Sequence, residues 1–255
     1  MRHSLIILHS ALFLGLATSS AAQAQPYDCA TQQNIAVEEC EALVALFQAT
    51  NGTEWRENTN WLTPVPVDDW HGVVVKFDFV MDLDLSENNL SGELPPELDQ
   101  LTNLRSLKLR RNKLRGTIPN LEDLSNLLTL ELNDNVFDQT TASGLSNMPK
   151  LVILDLSYNR LELFPKLDSL PGLTTLNLKH NQLKGDVPAE LAGLESLSEL
   201  DISDNDELTG VIPKTVSNKD GLNICYKGTG LRKPGSLSAR IGRWMGSKGG
   251  ITSTC

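Results

Sequence analysis

The sequence predicts an α/β solenoid: a curved coil of near-identical rungs whose short strands stack into one parallel concave sheet. Three observations carry this. First, an asparagine recurs at Asn88, Asn112, Asn135, Asn159, Asn181 and Asn205, at separations of 24, 23, 24, 22 and 24 residues. A fixed period of that size marks a solenoid. Second, each asparagine closes a stretch of alternating apolar positions, as in LDLSENNL (83–90), LKLRRNKL (107–114) and LDLSYNRL (154–161). That alternation predicts a strand with one buried face. Third, glycine and proline punctuate four of the six copies: Gly92–Pro95, Gly116–Pro119, Gly185–Pro188 and Gly210–Pro213. They read as turns between rungs.

Taken from the start, residues 1–24 read as a signal peptide: Arg2, an apolar run, and small residues up to Ala24. No other stretch is long and apolar enough to span a bilayer. The expected location is therefore secreted, extracellular or periplasmic. Residues 25–79 form the expected N-terminal cap. Within it, VEECEALVALFQA (37–49) places Val37, Leu43, Val44, Leu46 and Phe47 at helical spacing, and Asn51-Gly52 ends the helix. Trp55, Trp61 and Trp70 follow. Their rings suit sugar stacking, but core packing is the preferred reading.

Residues 80–220 hold the six repeats. Their L-x-L segments point leucines inward and the intervening residues out. One rung cannot bury its apolar face alone, so stability comes from stacking. The asparagines sit where the chain leaves the sheet and are read as structural: their amides satisfy backbone groups that would otherwise be buried unpaired. In residues 221–255, Leu222-Asn223-Ile224-Cys225 reads as a last degenerate strand. The segment SLSARIGRWMG places Leu237, Ile241, Trp244 and Met245 opposite Arg240 and Arg243. It is read as a cap helix, with a contact to an anionic surface as the alternative.

Cys29, Cys40, Cys225 and Cys255 lie near the two ends. An exported chain favours disulfides over zinc. Four cysteines allow three pairings, and proximity favours Cys29–Cys40 with Cys225–Cys255.

These copies resemble the leucine-rich repeat family, whose frame L-x-x-L-x-L-x-x-N-x-L fits all six, with one extra residue after Asn205. The G-x-I-P-like tails and the tryptophan-rich cap resemble its plant-type subclass. The resemblance implies a horseshoe with a second sheet on its flank. Two copies depart from the tail motif: Asp138-Gln139-Thr140-Thr141 lacks it and Leu163-Phe164-Pro165 keeps only the proline, so the second sheet is in question there. The resemblance also implies an extracellular recognition scaffold binding a protein, peptide or glycan. A cell-surface or wall-associated role, with the basic tail on anionic polymers, is the alternative. The sequons Asn51-Gly52-Thr53 and Asn89-Leu90-Ser91 are candidate glycan acceptors.

Charge excludes some functions. Residues 25–220 carry 15 Lys+Arg against 32 Asp+Glu, whereas residues 221–255 carry six basic residues and no acid. An acidic body argues against nucleic acid as the main partner. Beyond residue 24 only His71 and His180 remain, and no nucleophile, metal or phosphate-loop motif is present. No cofactor, metal or enzymatic activity is expected. Glu131 and Asp155, on neighbouring strands about 4.8 Å apart, are the pair a polysaccharide hydrolase would use. An open, solvated sheet does not raise a carboxyl's pKa as a general acid requires. Calcium on Glu131, Asp134 and Asp155 lacks a recognisable binding loop.

The outward positions form columns. The first runs Asp82, Ser106, Thr129, Ile153, Thr175, Glu199; the second Asp84, Lys108, Glu131, Asp155, Asn177, Asp201. The third runs Ser86, Arg110, Asn133, Ser157, Lys179, Ser203; the fourth Glu87, Arg111, Asp134, Tyr158, His180, Asp204. The candidate ligand-binding set on this face is Lys108, Arg110, Arg111, Ile153, Asp155, Tyr158, Lys179 and His180. Ile153, Tyr158 and His180 form its centre, and Arg110 and Arg111 act as charge anchors, because aromatic and arginine side chains dominate protein interfaces.

Overall fold

Leucine sets the architecture. In a computed structural model describing residues 27–140, 145–167 and 169–232, the leucines of each L-x-L pair, such as Leu83 and Leu85 or Leu154 and Leu156, are fully buried. They stack with their counterparts in a single core running from the cap to Leu231. Leu98, Leu101 and Leu104 close the same core from the opposite wall, with a 3₁₀ turn over Pro96–Gln100.

In chain order the strands are β1 (Val73–Lys76), β2 (Phe79–Asp84), β3 (Ser91–Gly92), β4 (Ser106–Lys108), β5 (Lys113–Ile118), β6 (Thr129–Glu131), β7 (Val136–Thr140), β8 (Ile153–Asp155), β9 (Thr175–Asn177), β10 (Glu199–Asp201) and β11 (Asn223–Cys225). Helix α1 spans Val37–Ala49, as its apolar spacing predicts, and α2 spans Lys214–Ser217. The concave sheet follows the order β1-β2-β4-β6-β8-β9-β10-β11. From β2 onward every pair is parallel and in register, with Asp84 beside Lys108, Lys108 beside Glu131 and Glu131 beside Asp155. The degenerate segment at Asn223–Cys225 joins this sheet as a seventh parallel strand.

Two features differ from expectation. The sheet begins with an antiparallel hairpin, β1–β2, turning through Phe77 and Asp78 with φ of 55° and 64°. Phe-Asp is not a residue pair that announces a tight turn, since left-handed φ is costly for a bulky side chain. The flank sheet also reaches the third copy: β7 pairs with β5 in the order β3-β5-β7, although its tail lacks the glycine–proline motif. Val136, Phe137 and Thr140 have strong strand propensity, which suffices beside an existing edge. Thr141 lies outside the described residues. The fourth copy, at Leu163-Phe164-Pro165, contributes no strand, and the fifth and sixth meet at one bridge, Gly185 to Leu208.

The asparagines hold consecutive rungs together. The Nδ2 of Asn135 donates to Leu109 O (2.9 Å) and Leu132 O (3.1 Å); that of Asn159 donates to Leu132 O (3.0 Å) and Leu156 O (3.1 Å). Asn181 and Asn205 repeat the pattern, so the carbonyls of Leu132, Leu156 and Leu178 are each shared by two asparagines. Their Oδ1 atoms accept from Leu114, Phe137, Leu161 and Leu183 N–H. Asn112 accepts from Asn88 and Leu90 N–H and donates to Leu85 O. Asn88 joins the first rung to the cap through Glu57 N–H and O. Both sequon asparagines are engaged as well, Asn51 Nδ2 with Ser91 O (2.9 Å) and Asn89 Nδ2 with Glu54 O (2.8 Å).

The cap seals the first rung with aromatic rings. Trp55, Trp61 and Trp70 are buried. Phe47 stacks on Trp61 at 5.8 Å, while Trp55 and Trp70 pack on Trp61 at 4.9 and 5.0 Å. Core packing, rather than an exposed sugar platform, is their role. The Cys29–Cys40 disulfide ties the 3₁₀ turn Cys29–Thr31 to α1. Cys225 is also disulfide-bonded. Its expected partner Cys255, the signal segment 1–24 and the Leu237–Met245 helix lie outside the described residues.

Glu39 of α1 is 3% exposed, and its Oε2 accepts from Val80 N–H (3.0 Å) beside the register shift of the β1–β2 hairpin. Its Oε1 is buried with no partner. Burial pushes this carboxyl above the usual range, and the Val80 N–H opposes the shift. The folded chain thus holds the proton more tightly than the unfolded one. The resulting stabilisation is complete below about pH 4.3 and is lost as pH rises through the folded-state value. Glu39→Gln is expected to remove this dependence. Comparing Tm for variant and parent from pH 4 to 7, the gap should move in the variant's favour as pH rises; a gap independent of pH refutes it.

Candidate ligand-binding face

Strand registry converts the sequence columns into a surface. Ile153 pairs laterally with Thr129 and Thr175, and Asp155 with Glu131 and Asn177. All eight candidate residues fall on or beside this face, but they divide into two groups.

The basic group is committed internally. Glu131 receives Lys108 Nζ at 3.8 Å and Arg110 Nε at 3.9 Å, and Glu87 receives Arg111 at 2.7 Å. Exposed pairs of this kind contribute at most about 1 kcal/mol each, yet they occupy the guanidinium groups expected to serve as free anchors. Glu131 is engaged by these cations, and Asp155 by Ser157 and by Asn177 Nδ2 (3.2 Å). Glu131 is thus paired with cations, whereas Asp155 meets neutral donors, so the two carboxylates do not form a matched pair. Among the described residues, no group of three or more His, Cys, Asp or Glu is arranged to hold a metal ion.

The second group is apolar and aromatic. Ile153 (37% exposed) and Tyr158 (42% exposed) belong to one rung. Tyr158 stacks on His180 of the next rung, with centroids 4.8 Å apart and planes at 26°. The cause is a backbone feature with only a faint signal in the sequence. Every fourth-column residue is left-handed: Glu87 (φ 57°), Arg111 (54°), Asp134 (55°), Tyr158 (54°), His180 (52°) and Asp204 (55°). Asp and His tolerate this conformation better than Tyr, Arg or Glu. Their N–H groups bond to the next rung, Tyr158 to Lys179 O (2.8 Å) and His180 to Ser203 O (2.9 Å). Consecutive side chains of this column therefore leave the sheet at the rung spacing, about 4.8 Å, which suits ring stacking. Beside them Lys179 pairs with Asp204 at 3.5 Å. Its ammonium is pushed above the usual value, first by the charge of Tyr158; desolvation opposes, and Asp204 and Asp201 add to the rise.

The third column is less available than its outward position suggests. Ser157 and Ser203 are buried, with their hydroxyls on Asp155 Oδ1 and Asp201 Oδ1, both at 2.6 Å. An apolar region that the column reading missed lies at the first edge of the sheet: Phe77 is 84% exposed at the hairpin tip, with Val74 and Phe79 also exposed. Its only sequence signal was the apolar VVVKFDFV run, which strand periodicity alone assigns to the core.

Comparison with known proteins fits this geometry. Residues 166–206 match the family model described as "Leucine rich repeat", and residues 80–101 and 103–123 match a second, "Leucine Rich Repeat". The receptor-like kinase TMK2 of Arabidopsis thaliana is 30% identical over 157 residues, 58% of this chain and 18% of the relative. The chain carries leucine-rich repeats, and these are similar to those of plant receptor-like proteins. It spans less than a fifth of that relative's length. Among solved structures, this leucine-rich repeat chain resembles PEPR1–AtPEP1 at 29% identity and a TM-score of 0.63, covering 76% of this chain and 28% of that one. It also resembles the Arabidopsis receptor kinase HAESA in complex with the peptide hormone IDA and the co-receptor SERK1, at 27% identity and a TM-score of 0.59, covering 74% of this chain and 33% of that one. Among the described residues no helix is long and apolar enough to cross a membrane.

Proposed function

We propose that this leucine-rich repeat chain is an exported recognition module that binds a protein or peptide on its concave face, centred on Ile153, Tyr158 and His180. Asp155 and Lys179 would flank that centre, while Lys108, Arg110 and Arg111 shape the wall through their ion pairs. The observation that carries this reading is the exposed Tyr158–His180 stack, with Ile153 on the same rung, on a wall whose other outward columns are mainly polar. Rigid aromatic surface that is already ordered loses little entropy on binding and supplies most interface energy. The similarity to HAESA, solved with a peptide hormone, supports a peptide or protein ligand over a glycan.

The test is a Tyr158→Ala, Ile153→Ser double variant, measured by calorimetry against a partner isolated from the extracellular milieu. Two interface anchors are worth about 2 kcal/mol or more together, so the Kd should rise about thirtyfold while circular dichroism stays unchanged. A change below threefold refutes the assignment.

A further inference from the structure

Resting on that reading, the charge that remains on the concave face indicates what kind of peptide fits it. Its four columns carry the acids Asp82, Asp84, Glu87, Glu131, Asp134, Asp155, Glu199, Asp201 and Asp204 against Lys108, Arg110, Arg111 and Lys179. All four cations are ion-paired within the face, and they use only Glu87, Glu131 and Asp204. The uncompensated charge is negative.

Three of the remaining carboxylates are held in fixed geometry by their own backbone: Asp84 at the start of the sheet, Asp155 on the rung of Ile153 and Tyr158, and Asp201 two rungs further on. Asp155 Oδ1 accepts from Ser157 N–H (2.9 Å), and Asp201 Oδ1 accepts from Ser203 N–H (2.9 Å). Asn177, between them, accepts from Lys179 N–H (3.1 Å) in the same way. A carboxylate oriented by its own backbone needs no reordering to meet a cation. Asp155 and Asp201 stand two rungs apart in the second column, separated by Asn177. Two rungs amount to about 9.6 Å. A polyproline II segment repeats its side-chain direction every three residues, about 9.3 Å. The two spacings coincide.

We propose that the concave face selects an extended, cationic peptide with Lys or Arg at positions i and i+3, one on Asp155 and the other on Asp201, with an apolar side chain between them reaching toward Ile153. Occupancy by such a ligand offsets part of the wall's excess negative charge and uses the stack as its lateral border.

The test is selection of random displayed dodecapeptides on the immobilised full chain, followed by fluorescence anisotropy of the recovered sequences. The expected consensus has two basic residues three apart. Its affinity should fall at least about tenfold in the Asp155→Asn, Asp201→Asn variant and decline steeply between 50 and 500 mM salt. Asparagine at these positions keeps the backbone contact, as Asn177 does in the parent chain, but Asp155→Asn also loses the Asn177 Nδ2 bond to Oδ2 (3.2 Å), so Asp201→Asn alone, with an unchanged circular dichroism spectrum, separates charge from folding. A neutral or acidic consensus, or no retained peptide, overturns the proposal. Peptides that lose binding with Tyr158→Ala, Ile153→Ser but ignore the Asp variant remove the cation preference and leave concave recognition in place. Peptides that bind both variants unchanged remove both.

Discussion

Asn159→Ala is expected to cost about 3 kcal/mol and to lower Tm by roughly 6–12 °C, the range for a chain of this size. The side chain is buried, and Phe137 N–H loses its acceptor at 3.0 Å. An orphaned buried donor costs about 1–3 kcal/mol, and each further bond lost adds about 1 kcal/mol. Sharing softens the loss: Leu132 O keeps Asn135, and Leu156 O keeps Asn181. The fault should be local, with amide exchange accelerating first at Phe137 and its neighbours, because rungs contact only adjacent rungs. Urea unfolding and exchange mass spectrometry would measure both. A loss under about 1 kcal/mol would show that water replaces the ladder without penalty.

Trp61→Ala is expected to cost more, about 3–5 kcal/mol. Its ring packs against Phe47, Trp55 and Trp70, and its Nε1 donates to His71 O at 2.9 Å. Removing it opens a cavity where α1, the Trp55 turn and the first sheet edge meet. A solenoid without a sound cap exposes the apolar face of its first rung, so loss of stability should come with self-association visible in light scattering. A monomeric variant with near-parental Tm would show that the cap is dispensable.

These two positions also show how far the sequence is legible. The role of Asn159 followed from spacing: a polar residue at a fixed period on an apolar coil must satisfy backbone at the rung turn. The burial of Trp61 was preferred from composition alone, and contact geometry was needed to decide between core and platform. The concave face was read less completely. Strand columns follow from two-residue periodicity, so Ile153 and Asp155 were placed correctly from the chain. The left-handed column, which brings Tyr158 onto His180, depends on hydrogen bonds to the next rung, and the chain signals it only faintly, at Asp134, His180 and Asp204. The ion pairs that occupy Arg110 and Arg111 are cross-rung contacts whose partners lie about 20 residues away. The third copy joined the flank sheet without its glycine–proline tail because a neighbouring edge was waiting to be paired.

By itself the sequence determined the coil, its period, the leucine core, the asparagine ladder and the helix of the N-terminal cap, since each repeats a local rule or follows a periodicity. Only the tertiary structure decided which charges are spent on one another, which serines turn inward, and that an aromatic pair and two oriented carboxylates share one wall. Stacking is the reason: a rung's outward side chains acquire their neighbours only when the next rung is laid beside it.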